Sequence, residues 1–547
     1  MGRSGATHEV FNQPPPLTGH DVFSSDPALS EAARREGIAG PALDDLRGLG
    51  LLAGSAEAQR WGEQANANPP VLKAFDRYGH RIDEVEYHPA YHRLMSTSVA
   101  EGIHAAPWAP DAGAAAHVVR AAKFLVWTQV DAGHLCPISM TYSVVPALRH
   151  APSLATEWEP RIESRVYDGR AVPAWEKAGV TCGMAMTEKQ GGSDVRANTT
   201  TAVRAGEGDA WRLTGHKWFC SAPMSDAFLA LAQAPGGLSC FLVPRWTPDG
   251  ERNGFFIQRL KDKMGDRANA SSEIELVDAL AWMVGDEGRG VRTIIEMVQH
   301  TRLDCILGSS AGMRACVAAA TWHAAHRAAF GRTLVDQPLM TNVLADLAIE
   351  SEAATVAALR LARAYDEADV LLSRLATPVL KYWICKRHPV LASEALECLG
   401  GNGFVEDSGM PRLFRQSPLN GVWEGSGNVI ALDVLRALAR SPESLDRFLA
   451  ELDAAAGVDP RYDDALARLR KDLTTLATDP AIEGRARRVV EELALTLQAA
   501  WVLQWSPPAV ADAFVASRLG GDSGRCFGTL PTAADVKAIV GRSTPAA

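Results

Sequence analysis

The spacing of apolar residues predicts that the chain begins with an extended arm followed by helices. From about residue 30 to 180 the pattern is mostly helical, and residues 114–133 repeat apolar side chains at three- and four-residue intervals, as one helix face requires. Ahead of this region lies the proline-rich stretch FNQPPPLTGHDVF, at 11–23. Proline has a fixed φ and no amide hydrogen, so this stretch is predicted to be an arm outside the core.

The periodicity changes to that of short strands at about residue 181. Runs rich in β-formers at 199–203, 210–214, 228–232 and 240–243 are separated by Gly, Pro or Asp turns. Helical spacing returns at residue 290 and continues in Ala- and Leu-rich segments, as in a helix bundle. The predicted class is α+β, divided into an arm with a helical domain at 1–180, a central β-barrel-like domain at 181–286, a four-helix bundle at 287–440 and an extra helical domain at 441–547.

Composition narrows the class of protein. The 547 residues are 47% hydrophobic and 22% charged, which is typical of a globular protein with a large core. No apolar run approaches the ~20 residues that span a bilayer, and the N-terminal stretch lacks the apolar segment of a signal peptide. We therefore expect a cytoplasmic protein with no membrane partner.

Cysteine and charge exclude further classes of site. The nine cysteines are scattered and form no C-x-x-C pair, so neither a metal site nor a dithiol redox motif is predicted. An odd number of cysteines favours buried free thiols in a reducing compartment. The formal net charge of −10 argues against a protein coated in nucleic acid, although it permits one local basic surface.

Two polar blocks mark the β region. They read MAMTEKQGGSD at 184–194 and GHKWFCS at 215–221. Both place hydroxyls and backbone amides beside glycine-permitted turns, which suits a planar heterocycle with carbonyls and ring nitrogens. Two strand ends with polar turns would have the same composition, so either block alone leaves both interpretations open.

Three further blocks lie in the helical region. RAAFG at 327–331, followed by Gln337, places a guanidinium where it can bind a phosphate through two hydrogen bonds, although a solvated arginine on a bundle face is the simpler interpretation. The glycine cluster LGGNGF at 399–404 is equally typical of a helix cap. VWEGSGN at 422–428 places Glu424 beside glycine and tryptophan, as a partly desolvated base or as a cap partner.

In this order and spacing, the five blocks resemble the acyl-CoA dehydrogenase superfamily over about residues 180–440. The family pattern is T-E-x-x-x-G-S-D, G-x-K-x-W-I-T, R-x-x-F-G with a downstream glutamine, G-G-x-G and Y-E-G-T. The resemblance implies FAD as cofactor, an acyl-CoA or related small-molecule substrate, and a homotetramer. It implies that Glu424 is the catalytic base that removes the α-proton of the thioester while hydride passes to the flavin.

The same resemblance implies a set of cofactor-binding residues. Flavin contacts are implied for the first two blocks, although Phe219 stands where the family usually has tryptophan and Ser221 replaces threonine. Phosphate or adenine contacts, to FAD held by a neighbouring subunit, are implied for the third and fourth blocks. The complete implied set is Met186, Thr187, Gly192, Ser193, Phe219, Ser221, Arg327, Gln337, Gly400, Gly401, Trp423, Gly425 and Asn428.

Regions outside the five blocks resemble the AidB-type branch of this superfamily. The resemblance includes VFNQPPPL at 10–17, FDRYGHR at 75–81, WEGSGN at 423–428 and SRLGGD at 517–522. It implies a role in the response to DNA alkylation and binding of double-stranded DNA through the last domain. Residues 441–547 contain 12 Lys/Arg and 15 Asp/Glu, a net charge of −3, so DNA binding would require segregated charge.

The candidate DNA contacts are Arg436 and Arg440, four residues apart on one helix face, and Arg518. Solvated basic residues balanced by nearby acidic ones are the alternative interpretation. Three functions stay open: a DNA-binding flavoprotein that retains its dehydrogenase site, a metabolic acyl-CoA dehydrogenase for a short or branched acyl chain, and a DNA-binding protein with FAD as a structural element.

Overall fold

The N-terminal region of the computed structural model, which describes residues 7–206, 208–476 and 480–546, is helical apart from one hairpin. Polar caps and prolines begin its helices: Asp26 accepts a hydrogen bond from the Leu29 amide, and Ser55 accepts one from the Ala58 amide. The helices are α1 (Pro27–Arg35), α2 (Pro41–Ala53), α3 (Ala56–Ala67), α4 (Pro89–Ala100), α5 (Ala116–Thr128), α6 (Leu135–Leu148) and α7 (Pro152–Ile162).

The hairpin of β1 (Val71–Phe75) and β2 (Arg81–Glu86) is a correction to the helical interpretation of this region. Its turn is stabilised by the Asp76 carboxylate, which accepts hydrogen bonds from the amides of Tyr78 and His80. The outward residues of β1 are exposed, so the segment lacks the apolar repeat of a buried strand.

The central domain is a closed ring of antiparallel and parallel strands. Its order is β3-β6-β4-β5-β9-β7, with β6 also paired to β7 and β8 paired to β9. Apolar residues such as Trp211, Phe228 and Phe241 fill its interior. The strands are β3 (Cys182–Ala185), β4 (Thr201–Arg204), β5 (Ala210–Ser221), β6 (Ala227–Ala234), β7 (Gly237–Pro244), β8 (Phe255–Leu260) and β9 (Ser271–Val284).

The helix bundle follows the β domain, and the predicted α+β class is confirmed. Its long members are α8 (Gly290–His326), α9 (Pro338–Asp366), α10 (Val370–Cys398) and α12 (Gly427–Arg440), with the short α11 (Met410–Gln416) between them. By length and composition, α8 could cross a membrane, but 78% of its most apolar stretch is buried. The same composition is typical of a bundle's central helix.

Two short elements interrupt the bundle. The two-residue strands β10 (Ala328–Ala329) and β11 (Arg332–Thr333) form a hairpin directly after α8. A 3₁₀ turn, Gly400–Phe404, follows α10. They coincide with the predicted blocks at 327–331, called the arginine block, and 399–404, called the glycine block. Arg327 lies between the last residue of α8 and the first residue of the hairpin.

The last region is helical and is bound to the rest of the chain by ion pairs of two largely buried arginines. Arg518 contacts the carboxylates of Asp346 and Glu350, both on α9. Arg542 contacts Glu352 on α9 and Glu31 on α1. We call these contacts the C-terminal clamp. The helices of the last region are α13 (Pro442–Asp453), α14 (Pro460–Thr475), α15 (Ile482–Trp505), α16 (Pro508–Arg518) and α17 (Val536–Ser543), and the clamp arginines lie on α16 and α17.

The predicted buried thiols are confirmed with one exception. All nine cysteines are free, and eight of them are buried. The exception, Cys526, is exposed in the loop between α16 and α17.

Candidate functional site

Glu424 precedes α12 in a strained and firmly held segment. Its φ of 56° lies in the left-handed region that non-glycine residues rarely adopt. The ammonium of Lys381 donates to the carbonyls on both sides, at 2.8 Å from that of Trp423 and 2.6 Å from that of Gly425. The Arg302 side chain donates to the Glu424 carbonyl itself at 3.1 Å. Three consecutive carbonyls are therefore fixed by cations, which sets the direction of the carboxylate.

The Glu424 carboxylate lies in an environment that favours its neutral form. Burial raises its pKa above the ordinary value of 4.5, against the opposing effects of the Thr301 hydroxyl, Arg302 and Lys381. The hydroxyl of Thr301 donates to the carboxylate at 2.8 Å. Arg302 is itself neutralised by Asp433 at 2.8 Å. A desolvated carboxylate with one hydrogen bond is well suited to accept a proton from a weak carbon acid.

The Thr301 hydroxyl is expected to set the acid limb of the pH–rate profile. Proton abstraction needs the ionised carboxylate, so the rate falls as pH drops through the pKa of Glu424. Thr301→Val removes a donor that stabilises the ionised form, so this pKa should rise and the acid limb should move to higher pH. Stopped-flow bleaching of the flavin by an acyl-CoA measures it. Thr301→Ser keeps the hydroxyl and should retain the acid limb of the wild-type profile. An unchanged acid limb in Thr301→Val would show that this hydroxyl does not control the pKa of Glu424.

Arg415, nine residues before Glu424 in the chain, is not one of the groups that hold this carboxylate. Arg415 instead pairs with Glu406, its guanidinium 2.6 Å from one carboxylate oxygen. The groups that do hold Glu424 come from α8 and α10, 43 or more residues away along the chain, where no short motif links them to the base.

The two polar blocks of the β region, at 184–194 and 215–221, are joined by a buried ion pair. Glu188 and Lys217 lie 2.8 Å apart, and both side chains are 0% exposed. Glu188 also accepts hydrogen bonds from the amides of Thr199 and Thr200, at 2.6 and 3.2 Å, and Lys217 donates to the Leu231 carbonyl at 2.7 Å. Burial alone would raise the pKa of Glu188, but Lys217 and these hydrogen bonds lower it to about 2. The pair thus ties the 184–194 block to β5, which contains the 215–221 block, and both to the barrel interior.

This link brings the predicted flavin residues to one edge of the barrel. The Trp218 amide donates to the Thr187 carbonyl at 2.8 Å, which joins the blocks again. Gly192 packs so closely that an added Cβ would lie 2.4 Å from the Thr187 hydroxyl oxygen. Ser193 and Phe219 are exposed beside them, and Phe219 retains 54% of its accessible surface.

An apolar cluster connects this edge to the base. Met186 and Trp423 pack against the same buried cluster, whose members include Met140 of α6 and Met297 of α8. Beside them, Cys136 of α6 contacts the Ser221 hydroxyl, and burial raises the pKa of this thiol to about 12. A half-buried apolar wall with hydroxyls on one side and a carboxylate on the other fits a flavin ring and a thioester.

The other predicted cofactor residues form a second, separate group. Gln337 donates to the Ala329 carbonyl at 3.0 Å and so supports the hairpin that follows Arg327. Gly400 has a φ of 60°, and no atom lies within 4 Å of a Cβ added to it or to Gly401. The open space over these glycines and the guanidinium of Arg327 fit the adenosine diphosphate end of FAD.

Two residues near the base have partners that the motif did not predict. The Gly425 carbonyl is held by Lys381, and the Asn428 side-chain oxygen accepts a hydrogen bond from Arg487 of α15 at 2.8 Å. Asn428 can therefore offer a cofactor its side-chain NH₂ group and its backbone, since the oxygen has a partner.

The three candidate DNA residues differ in accessibility. Arg436 and Arg440 are exposed on α12. Arg518 is only 12% exposed and contacts Asp346 and Glu350 in the C-terminal clamp. The prediction that Arg518 contacts DNA is corrected, because its charge is neutralised inside the protein.

Comparisons with known proteins agree with this geometry. Residues 12–169 match the adaptive response protein AidB N-terminal domain, residues 183–279 the acyl-CoA dehydrogenase middle domain, and residues 288–439 the acyl-CoA dehydrogenase C-terminal domain. The chain is 45% identical to the putative acyl-CoA dehydrogenase AidB of Escherichia coli K12 over 93% of this chain and 94% of that one.

Solved structures share the architecture. Caenorhabditis elegans ACDH-11 in complex with C11-CoA superposes with a TM-score of 0.86 at 27% identity, over 95% of this chain and 94% of that one. An acyl-CoA dehydrogenase from Bacillus anthracis, complexed with FAD, shares the fold at a TM-score of 0.63 and 19% identity, over 79% and 78% of the two chains. The chain therefore belongs to the acyl-CoA dehydrogenase family, as an AidB-like, FAD-dependent oxidoreductase acting on acyl-CoA.

Proposed function

We propose that this oxidoreductase also binds duplex DNA and acts in the response to DNA alkylation. The supporting observation is a surface of basic side chains around α12, the helix that follows Glu424. The description of the matching N-terminal family as an adaptive response protein agrees with it.

For the dehydrogenase site, we propose that Glu424 removes the α-proton of an acyl-CoA thioester. FAD, when bound, supplies the two-electron acceptor. Lys381 and Arg302 hold the carbonyls of 423–425 and so fix the carboxylate. Met140, Met297 and Trp423 provide an apolar wall that would exclude water from the reacting atoms.

The basic surface consists of Lys386, Arg436, Arg440 and Arg487, and we call it the α12 basic surface. Arg487 binds Asn428 at the start of α12, and Arg436 and Arg440 lie near its end. Among the described residues, no carboxylate lies within salt-bridge distance of Lys386, Arg440 or Arg487. Arg436 lies 3.9 Å from Asp433. Burial and mutual repulsion with Arg487 lower the pKa of Lys386, as expected of cations that lack anions.

DNA binding through this surface should depend steeply on salt. Each phosphate that a cation neutralises contributes about −0.9 to the slope of log affinity against log salt. The double variant Arg436→Ala/Arg440→Ala should therefore bind more weakly at low salt, and its slope should be shallower by about 0.9 for each phosphate that it no longer neutralises. Fluorescence anisotropy with duplexes of unrelated sequence measures it, and we expect little dependence on sequence.

The matched control is Arg47→Ala/Arg60→Ala. It removes the same charge from two exposed positions in the N-terminal helices and should leave the slope unchanged. Equal weakening in both double variants would indicate a general charge effect. No binding by the wild type would eliminate the DNA role.

We further propose a homotetramer, as the family resemblance implies. Large apolar side chains are exposed on the hairpin, at the start of α9 and on the Gly400–Phe404 turn: Phe330 at 99%, Leu339 at 84% and Phe404 at 82%. Exposed apolar patches of this kind are typical of subunit interfaces. Light scattering during size-exclusion chromatography gives the number of chains.

A purely metabolic acyl-CoA dehydrogenase is the second candidate. It is favoured by the C-terminal clamp, in which Arg518 and Arg542 join the last domain to α9 and α1. A domain joined in this way stabilises the packing of the chain and needs no contact with DNA to have a role. Acyl-CoA turnover without salt-dependent DNA binding would select this candidate.

A further inference from the structure

The N-terminal arm lies on the residues that fit the adenosine diphosphate end of the cofactor. Asn12 makes three hydrogen bonds there, each 2.8 Å long: its side chain donates to the Ala328 carbonyl and accepts from the Ala328 amide, and its own carbonyl accepts from Arg327. Its φ of 56° lies in the left-handed region that asparagine tolerates better than most residues. The arm is therefore specifically docked on the hairpin.

The same arm also contacts the Gly400–Phe404 turn. Gln13 accepts a hydrogen bond from Asn402, in the 3₁₀ turn Gly400–Phe404, at 2.9 Å. Two residues later, the Pro15 carbonyl accepts one from Trp322, near the end of α8, at 2.8 Å. Two adjacent arm residues thus bridge the arginine block and the glycine block, which are more than 70 residues apart in the chain.

The arm does not neutralise the positive charge of Arg327. In the part of the chain that the structure describes, no carboxylate lies within salt-bridge distance of Arg327, whose one side-chain hydrogen bond goes to the Asn12 carbonyl. That bond occupies one of the two terminal nitrogens and orients the planar guanidinium. The remaining donors stay available for an anion, as a diphosphate requires.

We infer that Asn12 and Gln13 are positioning residues of the FAD site. They hold Arg327 and the Gly400–Phe404 turn in the arrangement that receives the adenosine diphosphate end of the cofactor. Without them, this arrangement would have to be ordered during binding, and affinity would fall. The inference rests on FAD as the cofactor and is independent of DNA binding and turnover.

The test compares two flavins on the full-length apoprotein. FMN has the same ring and ribityl chain as FAD but lacks the adenosine end. The double variant Asn12→Ala/Gln13→Ala should bind FAD on the order of ten-fold more weakly, since it removes three side-chain hydrogen bonds, two of Asn12 and one of Gln13, and loosens the arm whose Asn12 carbonyl orients Arg327. Its affinity for FMN should not change. Quenching of flavin fluorescence during titration measures both dissociation constants.

The control variant is Val10→Ala/Phe11→Ala, on the same arm. These side chains are 86% and 79% exposed, so both affinities should match the wild type. Equal weakening toward FAD and FMN would show a general structural defect and overturn the inference. An unchanged or tighter affinity for FAD would also overturn it, and failure of wild type to bind FAD would instead remove the cofactor assignment.

Discussion

Glu424→Gln is expected to abolish bleaching of the flavin by acyl-CoA while FAD stays bound. The amide keeps the shape of the side chain and can still accept the Thr301 hydrogen bond, but it cannot take a proton. Removal of a general base commonly lowers the rate by ~10²–10⁴-fold. Anaerobic stopped-flow measurements with a panel of acyl-CoAs give the rate, and the visible flavin spectrum reports occupancy.

Glu443→Gln provides the comparison for this variant. It makes the same chemical change at an exposed position on α13 and should keep the wild-type rate. If Glu424→Gln stays within a few-fold of wild type, another residue abstracts the proton. If it releases FAD as well, the result reports on cofactor binding and the variant Glu424→Asp is needed to separate the two effects.

Lys217→Met should strongly destabilise the central domain and release the cofactor. The variant leaves the Glu188 carboxylate buried without its cation, and removing one partner of a buried pair typically costs about 3–5 kcal/mol. The pair ties the 184–194 block and β5 to the rest of the barrel, because Glu188 accepts hydrogen bonds from Thr199 and Thr200 and Lys217 donates to Leu231. Chemical unfolding gives the change in the free energy of unfolding, and the absorbance of bound flavin gives cofactor content.

The exposed pair next to it is the natural control. Lys189 lies 3.0 Å from Glu275, and the two side chains are 54% and 37% exposed. An exposed pair contributes roughly 0–1 kcal/mol, so Lys189→Met should change stability little and keep FAD. Similar destabilisation in the two variants would mean that burial of the Glu188–Lys217 pair is not what makes it important.

Residues inside the motifs are predictable, because the sequence alone contains their spacing. Strand periodicity places β5, β6 and β7, and the block at 422–428 places Glu424 before a helix. The hairpin of β1 and β2 is not predictable in this way, since its exposed alternate residues give it no buried apolar repeat.

Contacts between distant segments are not predictable from local sequence. Thr301, Arg302 and Lys381 reach Glu424 from two other helices, and nothing local to the base specifies them. The polar, glycine-rich neighbourhood of Arg518 indicates a surface cation. Its burial follows from Asp346 and Glu350, which are 172 and 168 residues earlier in the chain.

The C-terminal clamp has a consequence for synthesis of the chain on the ribosome. Asp346 and Glu352 are buried on α9, yet their cationic partners, Arg518 and Arg542, are translated 172 and 190 residues later. At ~5–20 residues per second, α9 waits roughly ten to forty seconds before these carboxylates can be neutralised. During that interval the nascent bundle cannot reach its final packing without burying unpaired charge. We therefore expect a polypeptide truncated after the bundle to have a lower free energy of unfolding than the full-length chain.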